Sequence, residues 1–148
     1  MNRINKLNAR TGAITGAVVP ISVTNTENYG INGGAVLSNV VDGNLSTVWN
    51  PNAPGSNTVY NLTFTFASLV YFTSVTINIV GDTTHDPTSI TFFTDSSKTT
   101  TVGSTGTMAG VTSRKVTLST PYTGTTMHIQ FNKTSQFQMY LSEVRFNI

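Results

Sequence analysis

The sequence predicts an all-β fold, an antiparallel sandwich or barrel. Three observations carry that expectation. Apolar residues alternate with polar ones in several short stretches, and clusters of Gly, Pro, Asn and Asp separate them. Nowhere does apolar spacing of three and four persist long enough for a helix of several turns. At 148 residues the chain has the length of one domain, with no internal repeat.

Taken in order, residues 1–20 lack alternation and read as an arm or linker, leaving 21–148 as the domain. Turn signals at Asn32-Gly33-Gly34, Asp42-Gly43-Asn44 and Pro54-Gly55-Ser56 come next. Tyr60, Leu62, Phe64 and Phe66 then alternate with Asn61, Thr63 and Thr65, and Val75, Ile77 and Ile79 with Thr76 and Asn78. Further turns fall at Gly81-Asp82, Asp86-Pro87, Gly103 to Gly110 and Pro121 to Gly124. Val116 and Leu118 form a short alternating pair, Met127, Ile129 and Phe131 a longer set, and Val144, Phe146 and Ile148 the last. Each pattern turns one face to a core and one to water.

Composition narrows the function. Charged residues make up 9% of the chain, against roughly 25% in ordinary soluble domains, while hydrophobic content is 38%. Thr, Ser, Asn and Gly fill the surface instead, a composition common in virion and cell-surface β-proteins. The net charge of +2 comes from scattered bases with no stripe or aromatic interleaving, which excludes a nucleic-acid reader. Arg3, Lys6 and Arg10 give the arm a local excess, either solvated or docked on an acidic neighbour such as another virion or surface protein. Without cysteine there is no disulfide. No run of about 18 apolar residues exists to cross a membrane. The start MNRINKLNARTGAITG lacks a signal-peptide core, so a virion or extracellular location reached by lysis or in an assembled particle is expected. A homo-oligomer fits such a setting, though no coiled-coil signal specifies one.

Several segments in order carry a family resemblance. They are the Ser/Thr-rich ISVTNTENYG, then ALSNVVDGNLSTVWN, VYNLTFTFASLVYFTSVTINI, SITFFTDSS, TMHIQF and the terminal LSEVRFNI. Together they resemble the discoidin family, which comprises coagulation-factor C-type domains and bacterial carbohydrate-binding modules with a galactose-binding jelly roll. The resemblance spans roughly residues 21–148. It departs in LTFTFASLV, which lacks the family's Asp-Leu-Gly, and in DSSKTTTVG, which lacks an Asp-Gly and a Trp; the chain reads as a divergent member.

The resemblance implies a calcium ion wrapped by the Asp42 loop and pinned to the last strand. Carried over by position, Asp42 and Glu143 would supply carboxylates, Asn39, Asn44 and Ser142 carbonyls, and Thr47 its carbonyl or hydroxyl. Calcium takes six to eight such oxygens, and two carboxylates brought together need a cation or a proton. Without an ion, Asp42 caps its own turn and Glu143 pairs with Arg145 or Lys133. Trp49, the sole tryptophan, reads as a core plug for this loop rather than a sugar platform.

Ligands of such sandwiches bind on loops at one end. A sugar needs an aromatic face and planar polar groups. Tyr29 and Asn32, His85 in GDTTHDP, Arg114, and Gln136, Phe137 and Tyr140 in KTSQFQMY are the candidates. The resemblance itself implies an aromatic just before the last strand, where Phe137 and Tyr140 stand. A non-catalytic glycan-binding module, part of a phage or other particle or of a cell-surface assembly, is therefore the expected function. The alternative is a structural virion protein, a decoration, tail or fibre component using the sandwich for protein contacts. Lipid binding through Phe137-Gln138-Met139 beside Lys133 is a fainter third. An enzyme is not expected, since the two histidines lie in no metal or nucleophile motif and no G-x-S-x-G elbow occurs.

Overall fold

The computed structural model describes residues 17–148 apart from 28, 54, 135 and 136, with backbone alone for Ala17. Residues 1–16 of the expected arm thus lie outside the described residues. Two long strands organise the rest. β3 (Thr58–Ile79) and β6 (Ser113–Lys133), of 22 and 21 residues, pair antiparallel from end to end. Their register slips between Thr65 and Val70 and again between Phe72 and Ser74. Such irregularities bend strands and raise their twist, and here they carry the pair from one layer of a sandwich into the other.

The remaining strands attach to one half of this pair or the other. β2 (Ser22–Asn25) joins β3 along Leu62–Thr65. β4 (Ser89–Phe93) joins β6 along His128–Asn132, and β5 (Thr101–Thr105) lies outside β4. β7 (Leu141–Asn147) joins the second half of β3, from Ser74 to Ile79. The end of the arm also enters the sheet, since β1 (Ala17–Val18) pairs with Asn147 and Phe146. Between β2 and β3 the chain makes a single 3-10 turn at Leu37–Val41.

Alternation translates directly into burial. Tyr60, Leu62, Phe64, Phe66, Val75, Ile77, Met127, Ile129, Phe131, Val144 and Phe146 are all core residues. Phe146 of β7 meets Phe64 and Phe66 of β3 edge-on, with ring centroids 4.9 and 5.0 Å apart. Each such aromatic pair contributes about 0.5–1.5 kcal/mol beyond the area it buries.

Two expected turns lie inside strands instead. Tyr122–Gly124 pair with Phe72, Tyr71 and Val70 within β6. Pro121 falls where β6 has no β3 partner, between the pairs Thr117–Ser74 and Tyr122–Phe72, so its missing N–H removes no bond from that ladder. Gly103 belongs to β5, and a Cβ there would stand 3.1 Å from the Leu118 side chain. It serves close packing, and only the residues after β5 form the loop.

Candidate functional site

The last core positions of the long strands fix where the loops emerge. The 81–87 loop follows β3, and the 134–140 loop joins β6 to β7. These two loops bring together three of the expected ligand residues. His85 stacks on Tyr140 with centroids 4.4 Å apart and planes inclined by 23°, and it meets Phe137 at 5.8 Å and 62°. Phe137 is exposed, Tyr140 half-buried, and Met139 between them is fully buried as a plug. The result is an aromatic platform rather than a deep pocket.

Polar groups set the platform's geometry. Asp82 Oδ2 lies 2.8 Å from His85 Nδ1, and its other oxygen accepts the Thr84 N–H at 2.6 Å. These bonds hold the Asp82 carboxyl below the usual range, so it stays ionised. Asp86 is buried and accepts the N–H groups of Asp82 (3.1 Å) and Gly110 (2.9 Å), stapling the loop to the one before β6. Burial raises its pKa against those bonds. The buried Lys133 donates to the Thr84 carbonyl from beneath, and burial lowers its pKa. In the sequence Asp86 reads as part of a turn, and Lys133 as a partner of Glu143 or a basic neighbour of Phe137-Gln138-Met139. Their part as loop anchors depends on burial created by distant strands, and only the acid spacing of GDTTHDP hinted at it.

The other candidates sit elsewhere. Tyr29 packs edge-on against Tyr60 at 5.5 Å. Asn32 binds Asn50 through backbone and side chain, beside the Ile31–Pro51 bridge. Arg114 donates to Thr105 Oγ1 at 2.8 Å, and among the described residues it makes no salt bridge or side-chain hydrogen bond to the platform. Gln136 lies outside the described residues.

The Asp42 loop and the last strand do meet. Trp49, 2% exposed, exchanges backbone hydrogen bonds with Leu141 at 2.8 and 3.1 Å and packs on Tyr60 at 5.7 Å. It is therefore a core plug. Glu143 Oε2 accepts the Gly43 N–H at 3.1 Å. Asp42 accepts the Asn44 N–H at 2.8 Å, the cap its turn chemistry calls for. The Thr47 hydroxyl stands 2.7 Å from Asp42 Oδ2 and 2.8 Å from the Asn44 carbonyl. The Thr47 hydroxyl thus draws the Asp42 carboxylate and the Asn44 carbonyl together across the turn; among the described residues no group of three or more acidic, histidine or cysteine side chains gathers there. Asn39 instead braces the loop through the Val48 carbonyl at 2.8 Å, and the buried Ser142 lines a cavity with Leu45.

An apolar cavity of about 220 Å³, lined by Val18, Val19, Pro20, Val41 and Val144, flanks Asp42 and Glu143. Burial is the main reason the Glu143 carboxyl is pushed up to about 7; the Asp42 charge adds to it, while the Gly43 N–H and Arg145 oppose it. Neither expected ion pair forms, since Glu143 has no salt bridge among the described residues and Lys133 is engaged at Thr84.

No protein-family profile and no curated protein sequence matches the chain. Solved structures do. The family 32 carbohydrate-binding module of AlyQ, in complex with 4,5-unsaturated mannuronic acid, is 26% identical with a TM-score of 0.66, covering 88% of this chain and 96% of that one. The family 32 module of Clostridium perfringens NanJ in complex with galactose is 18% identical with a TM-score of 0.69, covering 88% and 97%. The two family 32 domains of Clostridium perfringens ZmpB in complex with GalNAc give 16% identity and a TM-score of 0.73, over 99% of this chain and 38% of that longer one. The chain has the discoidin-like galactose-binding jelly roll of these modules, the fold that the sequence resemblance implied. The neighbours named are non-catalytic binding modules, some of which sit beside catalytic domains in longer chains, in line with the expectation that this domain is not an enzyme.

The Glu143 shift has a testable consequence. A carboxyl whose pKa rises on folding contributes stability that is complete below about pH 4.5 and is lost as the pH climbs through about 7. In chelator, urea unfolding of the wild type relative to Glu143→Gln should therefore lose on the order of 3 kcal/mol across that window. A constant difference between the two proteins would show that the group is not so perturbed.

Proposed function

We propose that this chain is a non-catalytic carbohydrate-binding module that holds a neutral hexose of the galactose type on its His85–Phe137–Tyr140 platform. The stacked His85–Tyr140 pair beside exposed Phe137 carries the reading. Such a surface offers an apolar face to a pyranose and an imidazole to its hydroxyls. With Nδ1 engaged by Asp82, the His85 ring has Nε2 left to meet a sugar hydroxyl. The charge balance favours a neutral sugar over a uronate, because the anionic Asp82 lies at the edge of the His85 ring and Lys133 is engaged at Thr84. Neighbours of the same fold are in complex with galactose and GalNAc, and one with 4,5-unsaturated mannuronic acid, so the neutral choice rests on the charges around this platform. A glycan array should give a galactosyl signal that Tyr140→Ala and His85→Ala each weaken at least about tenfold. A blank across neutral and acidic glycans would favour the structural alternative.

Calcium, in this reading, acts as a cross-link between the Asp42 loop and β7. Asp42, Asn44, Thr47 and Glu143 would hold it. Its support is the oxygen-rich cluster at Thr47 and the buried Glu143 carboxyl, which an ion would keep ionised. Added calcium should raise the melting temperature at pH 7.5 by several degrees and a chelator should reverse it. The same titration of Asp42→Asn should be flat; an unchanged wild-type temperature would remove the ion from the account.

The module's setting is a virion or extracellular surface, a reading supported by the uncharged, Thr-rich exterior. Mass spectrometry of purified particles and culture supernatant should recover the protein there; its confinement to the cell lysate would contradict the placement.

A further inference from the structure

A second cavity lies at the root of the platform loops. It has a volume of about 240 Å³ and is framed by Leu45, Asn78, Ile79, Thr112, Ser113 and Ser142. Its construction is unlike a packing defect. β7 pairs Glu143 with Asn78 and Leu141 with Ile79, so Ser142 is the extra residue of a β-bulge, a device that re-aims a side chain. Ser142 and Asn78 are 4% and 7% exposed. The Asn78 amide nitrogen reaches the Glu143 carbonyl only at 3.5 Å. Its oxygen and the Ser142 hydroxyl bond to no described residue, yet neither atom is sealed from solvent, so both open onto the cavity. Buried polar groups ordinarily find partners.

The lining specifies the chemistry of an occupant. No charged side chain contributes to it. Hydroxyls and an amide both donate and accept, as sugar hydroxyls do, while Leu45 and Ile79 offer apolar surface to a C–H face. The volume exceeds the roughly 30 Å³ of a single water several-fold. The position is equally specific. Ser142 stands two residues beyond Tyr140 of the platform. Gly81, which opens the His85 loop at φ +82°, leaves no room for a side chain, since a Cβ would come 2.5 Å from the Thr112 methyl. The cavity wall and the platform loop therefore share a root.

We propose that this cavity is a second sugar subsite, taking the neighbouring residue of a neutral oligosaccharide whose terminal sugar stacks on His85, Phe137 and Tyr140. The inference rests on the glycan-binding reading of that platform. Calorimetry or NMR titration with galactose and with β-1,4-galactotriose tests it. The wild type should bind the trisaccharide about tenfold more tightly, as two added neutral hydrogen bonds would give. Ser113→Phe, at the exposed start of β6, fills the cavity from the surface; it should reduce the trisaccharide to the affinity of galactose and leave galactose unchanged. Ser142→Ala should remove part of the gain. Equal affinity for the two sugars in the wild type, or a difference that survives Ser113→Phe in a folded protein, would overturn the subsite. Binding of neither sugar, or galactose binding that persists in Tyr140→Ala, would overturn the platform and the subsite with it.

Discussion

The pairing of β3 with β6 is the constraint on which the rest of the molecule depends. Every other strand but β1 and β5 bonds directly to one of these two, and those two attach one strand further out. Because the pair bends twice and crosses both layers, its inner face supplies core residues to both. It also sets the ends from which the functional loops leave, at Ile79, Ser113 and Lys133. The bends could not be replaced by ordinary hairpins without releasing the layers from each other. Phe66, within the first irregularity, and Phe72, just after it, pack with ring centroids 5.0 Å apart and hold the bend from inside.

A chain with six carboxylates spends all of them on its own backbone. Glu27 accepts the Asn61 N–H, Asp42 that of Asn44, Asp82 that of Thr84, Asp86 those of Asp82 and Gly110, Asp95 those of Thr99 and Thr100, and Glu143 that of Gly43. Charge-assisted bonds of this kind are stronger than neutral ones. In a sandwich whose loops are long and whose surface is nearly uncharged, they replace the salt bridges that other domains use to fix loop shape. An acid so engaged is a staple for its loop.

Local pattern and non-local burial divide what the sequence reveals. The alternation of Tyr60 to Phe66 and of Met127 to Phe131 identified core faces because a strand with one dry face must alternate. It did not reveal that two alternating runs form one strand, because the bend between them is a register slip defined by the partner. For the same reason Pro121 to Gly124 read as a turn. The meeting of VVDGN with LSEV followed from family resemblance, and the Trp49–Leu141 bridge brings it about. His85, Phe137 and Tyr140 were each visible as loop residues, yet their assembly was not, since it needs β3, β6 and β7 to end side by side. Lys133 is the clearest case of illegibility: a lysine ending an alternating run normally points to water, and here the 81–87 loop folds over it.

The platform's rigidity bears on what it is for. Association costs side-chain and loop ordering, about 0.5–1.5 kcal/mol for each rotamer-rich group immobilised. His85 and Tyr140 are already stacked, Met139 is already buried, and the 81–87 loop is held from three sides by Asp86, Lys133 and the Pro87 carbonyl accepting the Met108 N–H at 3.0 Å. A small sugar offers few contacts, so a shallow surface can bind it usefully only if little of that gain is lost to ordering. The buried charges beneath the loop, which contribute nothing obvious to the core and are costly to desolvate, make sense as the means by which an open aromatic face is kept in one conformation.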